Sequence, residues 1–425
     1  MKTPSITGRM VFSARTVAKH VQKLAQTFIP LYNGFEECSI KGRHKVSIDF
    51  NHIINRRNTG SVKWDIFNED ILPLWVADMD FPVPEPVSRA LAERVAHPIY
   101  GYPLPPQALK TVLQERLEQL YNWKVEEEAI LFIPGVVSGF NVACRATGSP
   151  GDEVLVEPPV YFPMLHAPAN HGQICKTVQL VEGPERYERD LDAFEAAITG
   201  RTRLLLLCNP HNPVGRVFER DELEELAQVC LRHDVVICSD EIHCDIVFSG
   251  HTHIPIASLA PEIAARTITL FAPSKTFNVP GLSCSIGVIE DPDLREQFKK
   301  AKAGIVPHVN ALGYVAALAA YRDGQPWLDA LLAYLEANRD YLMDYLSTHM
   351  PEIGCQRPEG TYLAWLDCRE LDIGDEPAKF FREEARVALN EGAQFGTGGE
   401  GFVRLNFGCP RATLTEALER LKAAV

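Results

Sequence analysis

Short apolar runs alternate with longer stretches of helical period along most of this chain, from about Ser47 onward. Pro and Gly separate these stretches, and residues 220–232 have the spacing of an amphipathic helix. The apolar runs predict buried strands at 153–156, 203–208, 235–239, 268–272 and 285–289. Buried strands that alternate with helices indicate an α/β fold whose mostly parallel sheet is covered on both faces.

The pattern changes after Pro326. A long charged helix is predicted from there to about Met350, followed by strands at 361–366 and 402–406. We therefore expect a second domain, and divide the chain into an extension at 1–45, the N-terminal part of a small domain at 46–85, a large domain at 86–325 and a C-terminal small domain at 326–425.

The beginning of the chain differs in composition from the rest. The first 35 residues contain five basic side chains and no acid, whereas the whole chain carries a formal net charge of −14. We interpret residues 1–45 as a disordered extension. An amphipathic transit peptide around 17–28 is the alternative.

Composition narrows the classes of function. The 425 residues include 23% charged and 46% hydrophobic side chains, as in ordinary globular proteins. The acidic charge disfavours binding to nucleic acid or to an anionic membrane, and no apolar stretch reaches the roughly 20 residues of a membrane-spanning helix. Eleven cysteines without a C-x-x-C pair favour a cytoplasmic protein over a disulfide framework or a zinc site.

Candidate chemistry follows the ends of the predicted strands. Lys275 comes just after the strand at 268–272, where open α/β sheets bind their ligands, although a lysine in such a place is more often solvated. Asp240 ends the strand at 235–239 and could hold a protonated ring nitrogen, or simply cap the next helix. His243 lies one helical turn further on and could reach the same ligand; alone, it would be a core or surface histidine.

Three further segments also follow predicted strands or open helices. Asn212 belongs to the second of two Asn-Pro pairs that indicate a turn, and its amide could donate to a ligand oxygen. The segment 134–139, PGVVSG, precedes an apolar helical stretch and forms a plausible phosphate cradle with Val136, Val137 and Ser138. Tyr161 could stack on a flat ring or be an ordinary core aromatic residue.

These elements, in this order, resemble fold-type I pyridoxal-phosphate enzymes, and in particular the cystathionine β-lyase-like (MalY/PatB) subgroup of the class I/II aminotransferase family. The resemblance extends from about Ile48 to the C-terminus. It rests on residues 49–50, 56–59, 63–65, 74–81, 100–102, 134–138, 208–216, 239–243, 272–278 and 359–365. It implies a large domain with a mostly parallel seven-stranded sheet and a smaller α+β domain.

The resemblance also implies a role for each matching residue. Lys275 would carry pyridoxal 5′-phosphate as a Schiff base and act as the catalytic base, and Asp240 would pair with the ring nitrogen. Tyr161 would stack on the ring, with Asn212 and His243 at its oxygen. Val136, Val137 and Ser274 would hold the phosphate, joined by Tyr102 from the neighbouring subunit of a homodimer. Substrate would be bound by Arg404, through its α-carboxylate, and by Tyr362 and Trp75.

One position departs from the wider family. Many of its aminotransferases have a phosphate-binding arginine eight residues after the lysine, where this chain has Ser283. The resemblance therefore favours a carbon–sulfur β-lyase, which converts L-cystathionine or other cysteine S-conjugates into a thiol, pyruvate and ammonia.

Three other interpretations remain open. An aminotransferase would use the same lysine and would require an oxo-acid acceptor. A pyridoxal-phosphate-holding interaction protein is disfavoured by the intact set of Lys275, Asp240 and Arg404. A metal site at His251 and His253 is disfavoured because no acid or cysteine flanks the pair at ligand spacing, and we interpret this segment as a loop.

Overall fold

The computed structural model describes residues 48–425, and the predicted extension at 1–45 lies outside them. Within this range the strands are β1 (Leu72–Pro73), β2 (Ile130–Ile133), β3 (Glu153–Val156), β4 (Ile174–Thr177), β5 (Val181–Glu182), β6 (Tyr187–Glu188), β7 (Thr202–Cys208), β8 (Val236–Asp240), β9 (Thr267–Phe271), β10 (Ser285–Val288), β11 (Gly354–Cys355), β12 (Leu363–Asp367), β13 (Val387–Ala388), β14 (Asn390–Glu391) and β15 (Phe402–Asn406).

The α-helices connect these strands and cover the sheets. They are Val62–Asp65, Glu85–Ala96, Gln107–Tyr121, Val136–Thr147, Phe162–His166, Leu191–Ala197, Arg220–Arg232, Pro261–Ala264, Pro273–Thr276, Pro292–Lys302, Ala311–Asp323, Gln325–His349, Pro377–Phe380 and Arg411–Ala424. None of the helices in residues 48–425 combines the length and the apolar character needed to cross a membrane.

The large sheet has seven strands in the order β2-β10-β9-β8-β7-β3-β4. Strand β10 is antiparallel to both of its neighbours, and the other pairs in the sheet are parallel. The predicted fold class, a mostly parallel sheet covered by helices, is confirmed. Cys208 and Asp240 are direct neighbours in the β7–β8 register, so the carboxyl ends of these strands meet at one edge.

The inner strands of this sheet are buried on both faces, which explains their apolar runs. In β7, Leu204 and Leu206 pack on one face with Phe140 of the helix Val136–Thr147. Leu205 and Leu207 lie on the opposite face, against the helix Arg220–Arg232. The alternation has the strand period of two, but each side chain meets a helix and none meets water.

The helix Val136–Thr147 approaches the sheet closely at Gly139. A Cβ atom there would lie 2.8 Å from Cδ1 of Leu270 in β9, so only glycine allows this distance. The helix begins after Gly135, whose φ of 141° suits glycine. These two glycines place the helix N-terminus at the carboxyl edge of the sheet.

A second sheet, of four strands in the order β11-β12-β15-β14, lies towards the C-terminus of the chain. In its register Arg404 of β15 is the direct neighbour of both Trp365 in β12 and Asn390 in β14. The two sheets fall within the ranges predicted for the large and C-terminal small domains, and the exact domain boundaries remain a prediction.

Candidate active site

A cavity of about 340 Å³ opens at the carboxyl ends of β7, β8 and β9. This volume is suitable for a small cofactor together with a small substrate. Its lining includes the predicted residues Trp75, Val136, Val137, Tyr161, Asn212, Asp240, His243, Ser274 and Lys275. The fold thus brings together side chains that are up to 200 positions apart along the chain.

Lys275 is positioned by the short helix Pro273–Thr276, which follows β9 directly. Its Nζ donates a hydrogen bond to the carbonyl oxygen of Ala77 at 2.6 Å. Burial lowers the pKa of this amine to about 8, with a further contribution from the Arg404 charge, while Asp78 and Asp240 act in the opposite direction. A much larger fraction of the amine is therefore uncharged near neutral pH than in a solvated lysine.

Asp240 is the last residue of β8 and is fully enclosed. Its Oδ1 accepts a hydrogen bond from the backbone N–H of Ile242 at 3.1 Å. Burial raises the pKa of this carboxyl to about 7. A buried acid of this kind gains stability when a cationic partner enters the cavity, since the partner compensates the charge that burial disfavours.

His243 and Tyr362 meet at the cavity wall. The His243 ring is buried, and burial, followed by the charges of Lys275 and Arg404, lowers its pKa well below the ordinary value, so the imidazole is neutral. The two rings lie 5.6 Å apart in an edge-to-face arrangement. The Tyr362 hydroxyl donates to the carbonyl oxygen of Ala77 at 2.8 Å, beside the Lys275 amine.

The predicted phosphate cradle lies at the N-terminus of the helix Val136–Thr147. A Cβ built on Gly135 would meet no atom within 4 Å, so the space beside this turn is open. Unpaired backbone N–H groups at a helix start are a natural anion site. The hydroxyl-bearing residues Ser138, Ser274, Ser283 and Ser285 also line the cavity. Among the lining residues, Lys275 alone is cationic.

Arg404 reaches this site from β15 and is buried. Its Nη1 donates to Oδ1 of Asn212 at 3.0 Å, and its Nη2 to Oδ1 of Asn390 at 2.6 Å and to the carbonyl oxygen of Trp75 at 2.8 Å. All three acceptors are uncharged. Burial lowers the pKa of the guanidinium to about 10.

Residues 74–81, which we call the strap, form one wall of the site and are held by two asparagines. Asn406 donates to the carbonyl oxygens of Val76 and Asp78 at 2.6 and 2.7 Å. Asn278 accepts from the N–H of Met79 at 3.0 Å and donates to two strap carbonyls. These contacts fix the Ala77 carbonyl that receives Lys275.

A cluster of charges anchors the far end of the strap. Asp80 accepts hydrogen bonds from Arg56 at 2.6 Å, Lys63 at 2.8 Å and the indole of Trp64 at 2.8 Å. Asp78 also pairs with Arg56, at 2.7 Å. Burial makes the loss of any one partner costly, because it would leave a charge uncompensated.

The roles of Asn278, Asn390, Asn406 and Ala77 had no counterpart in the sequence predictions. Asn278 and Ala77 lie in segments that carried the family resemblance, yet nothing in the immediate neighbours of any of the four indicates a partner. The hydrogen bonds from the side chains of Asn278 and Asn406 to the strap join positions 197 to 330 residues apart. Only the three-dimensional fold identifies them.

Arg404 and Tyr362 are not part of the cavity lining; they are buried and hydrogen-bonded to residues that line it. Two other predicted groups lie away from the cavity of this chain. Tyr102 is fully exposed and does not contribute to the lining. His253 is buried and its Nε2 lies 2.9 Å from Oε2 of Glu241, an acid that the local sequence spacing did not reveal. No group of three metal-ligating side chains forms within residues 48–425.

The site residues fit pyridoxal 5′-phosphate. The aldehyde needs a lysine amine that is accessible in its uncharged form, the ring nitrogen needs an acid, and the phosphate needs a set of N–H and O–H donors. Lys275, Asp240 and the cradle that begins at Val136 supply these groups around one cavity. The buried Asp240 carboxyl has no cationic partner within 4 Å in residues 48–425, which suits a group that receives a protonated ring.

Comparison with known proteins agrees with this geometry. The family model described as aminotransferase class I and II matches residues 69–421. Cystathionine beta-lyase PatB of Bacillus subtilis (strain 168) is 40% identical over 386 residues, which cover 89% of this chain and 100% of that protein.

Solved structures are also similar. Cystalysin from Treponema denticola, described as containing a pyridoxal 5′-phosphate cofactor, has a TM-score of 0.86 at 34% identity and covers 89% of this chain and 98% of its own. The PLP-bound C-S lyase from Staphylococcus hominis has a TM-score of 0.84 at 34% identity, with 88% and 98% coverage. The chain therefore belongs to the class I and II aminotransferase family.

Proposed function

We propose that this protein is a pyridoxal 5′-phosphate-dependent carbon–sulfur β-lyase acting on L-cystathionine or other cysteine S-conjugates. The observation that carries the proposal is that Lys275 and Asp240 line one cavity, while the buried Arg404 is hydrogen-bonded to two of its other lining residues, Asn212 and Asn390. The chain is 40% identical over 386 residues to a cystathionine β-lyase, and the match covers the whole length of that relative. The products would be a thiol, pyruvate and ammonia.

Binding begins with the substrate carboxylate. A guanidinium carries five N–H groups, and three hydrogen bonds to Asn212, Asn390 and Trp75 leave two for a ligand. Charge-assisted pairs of this type are strong and directional. Because Arg404 can only donate, the atom of Asn212 that faces it is the oxygen, and the amide nitrogen of Asn212 stays available as a donor to the ligand.

When bound, pyridoxal 5′-phosphate supplies an electron sink that acidifies the α-carbon of the substrate. Lys275 would then take the α-proton on Nζ, for which its lowered pKa is suited. The β-carbon–sulfur bond would break, and the sulfur would leave with the bonding electrons as a thiolate, which takes up a proton to give the thiol. The enamine that is released hydrolyses in water to pyruvate and ammonia.

Aminotransfer is the alternative within the same family. Ser283 lines the cavity at the position where many aminotransferases have a phosphate-binding arginine. The cradle therefore holds the phosphate with neutral donors, and this difference, with the likeness to named C-S lyases, favours elimination over transfer. The complete set of catalytic side chains disfavours a protein that only holds the cofactor for a partner.

We also propose a homodimer with a shared active site. The segment around Tyr102 exposes large apolar side chains, with Ile99 66%, Leu104 86% and Tyr102 102% exposed. An apolar group of this size on the surface of one chain suits a partner that covers it. Tyr102 would then reach the phosphate of the neighbouring subunit. A cytoplasmic location suits the ten free cysteines among the described residues.

The test is a product assay with purified protein and added cofactor. L-Cystathionine or S-methyl-L-cysteine should yield thiol, pyruvate and ammonia in equal amounts without any oxo acid. L-Alanine has no leaving group on its β-carbon and should give at most slow half-transamination, which stops after one equivalent of pyruvate per bound cofactor when no oxo acid is added. Turnover that needs 2-oxoglutarate and forms glutamate would replace the lyase proposal with the aminotransferase.

A further inference from the structure

Arg404 differs from the other buried arginines in the described part of the chain. Arg216 pairs with Glu222 at 2.6 Å, and Arg339 pairs with Asp340 at 2.7 Å. Arg404 is just as buried, yet no carboxylate oxygen of residues 48–425 lies within 4.0 Å of it. A buried cation without an internal counter-ion is costly unless a ligand provides one.

Asn390 replaces the missing acid as a hydrogen-bond partner. It is the direct cross-strand neighbour of Arg404 in the β14–β15 register, so the two side chains lie on the same face of the sheet. Its Oδ1 accepts from Nη2 at 2.6 Å, the shortest of the three bonds that hold the guanidinium. Asn390 is buried and also lines the cavity.

Asparagine and aspartate have nearly the same shape but differ in charge, so the identity of residue 390 decides whether the guanidinium of Arg404 has a counter-ion. An aspartate at 390 could make the same hydrogen bond, and it would neutralise the guanidinium in a region of low dielectric. The asparagine fixes the position of the guanidinium and leaves its charge for a ligand. The Nε of Arg404 is buried and has no hydrogen-bond partner in residues 48–425, so the protein itself does not use every N–H group of this guanidinium.

We propose that Asn390 is a positioning residue that makes this site selective for carboxylate-bearing amines, because it holds Arg404 without neutralising it. The inference rests on the proposed function because it takes the ligand to be an amino acid. Beyond that function, it identifies Asn390 as the residue that sets the preference for an α-carboxylate.

The experiment compares two amines that differ only in the carboxylate. L-Alanine and ethylamine are titrated into the cofactor-loaded wild-type protein and into Asn390→Asp, and binding is followed by the absorption of the bound cofactor. Wild-type protein should prefer L-alanine. In Asn390→Asp the affinity for L-alanine should fall by at least about tenfold, since like charges would now face each other, while ethylamine binding is not weakened.

Two further variants complete the design. Asn68→Asp adds the same charge at an exposed position and should retain the wild-type preference. Asn390→Ala removes the anchor without adding charge, and should weaken L-alanine several-fold with little effect on ethylamine. If Asn390→Asp does not load the cofactor, Asn390→Ala tests the role of Asn390 in its place.

The outcomes separate this inference from the proposed function. The role of Asn390 would be overturned if cofactor-loaded Asn390→Asp bound L-alanine within twofold of the wild-type affinity. If that variant does not load the cofactor, the same criterion applies to Asn390→Ala. A wild-type protein that prefers L-alanine to ethylamine but releases no thiol from cysteine S-conjugates would overturn the lyase and leave the role of Asn390 supported.

Discussion

Replacing Arg404 by alanine should impair every substrate that carries an α-carboxylate. The structure leaves two N–H groups of this buried guanidinium for the ligand, after three bonds to Asn212, Asn390 and Trp75. A hydrogen bond between charged groups contributes about 1.5–3 kcal/mol, and water that enters the enlarged cavity would recover part of the loss of two such bonds. We expect a net cost of about 2–4 kcal/mol, or a fall in kcat/KM of roughly 30- to 1000-fold.

The assay is thiol release from S-methyl-L-cysteine over a range of substrate concentrations. Arg404→Lys keeps a positive charge but loses the planar pair of donors, so its kcat/KM should lie between those of wild type and Arg404→Ala. The decarboxylated analogue, 2-(methylthio)ethylamine, serves as the control for general damage, because its binding does not use the guanidinium. A fall below fivefold with S-methyl-L-cysteine, or an equal weakening of the control amine, would refute the assignment of Arg404 to the carboxylate.

Three further predictions concern other parts of the site. In the proposed function the uncharged Lys275 amine is the nucleophile that captures the cofactor. With a pKa of about 8 for this amine, the rate at which cofactor-free protein turns yellow should rise with pH up to about 8 and then level off. A rate that keeps rising to pH 10 would indicate an ordinary lysine. Asp240→Asn should reduce kcat far more than cofactor affinity, since the cradle is unchanged, and near-normal turnover would contradict its proposed role. Asn406→Ala removes two hydrogen bonds to the strap, at 2.6 and 2.7 Å, and should lower the free energy of unfolding in urea by about 2–3 kcal/mol. Hydrogen exchange at residues 77–79 should become faster, and unchanged exchange there would show that the strap is held by other contacts.

Much of the large sheet could be predicted from apolar runs alone. The predicted strands at 153–156 and 402–406 and the helix at 220–232 agree with the structure to the residue. These segments have strong periodicity and charged or turn-forming neighbours, which define their ends. Strand β4 was missed because it lies at the sheet edge with its residues half-exposed or exposed, so its sequence has no continuous apolar run. The short apolar strand β2 was also missed, and the reversed direction of β10 has no local signal.

Lys275, Asp240 and Asn212 were found because they end or follow predicted strands, and parallel strands bring such ends together. Val136 and Val137 were found because they precede a helix, whereas Ser274 and Tyr102 came from the family resemblance. Their individual roles remain predictions. Contacts that depend on distant backbone could not be predicted, since nothing near Asn406 indicates that its amide binds carbonyls about 330 residues earlier in the chain. The position of Tyr102 depends on a second chain, so a single sequence or a single subunit leaves its role open.

Beside the cavity the strap is held largely through its backbone, because Asn278 and Asn406 bind its peptide groups. The side chains of Val76 and Ala77, which line the cavity, make none of these bonds, whereas the Trp75 indole donates to the carbonyl oxygen of Lys63. Substitutions at positions 76 and 77 should reshape the substrate cavity while the carbonyl that receives Lys275 keeps its place. New substrate preferences could therefore evolve in this wall, or be selected in the laboratory from a small library at these positions, with little loss of the catalytic apparatus.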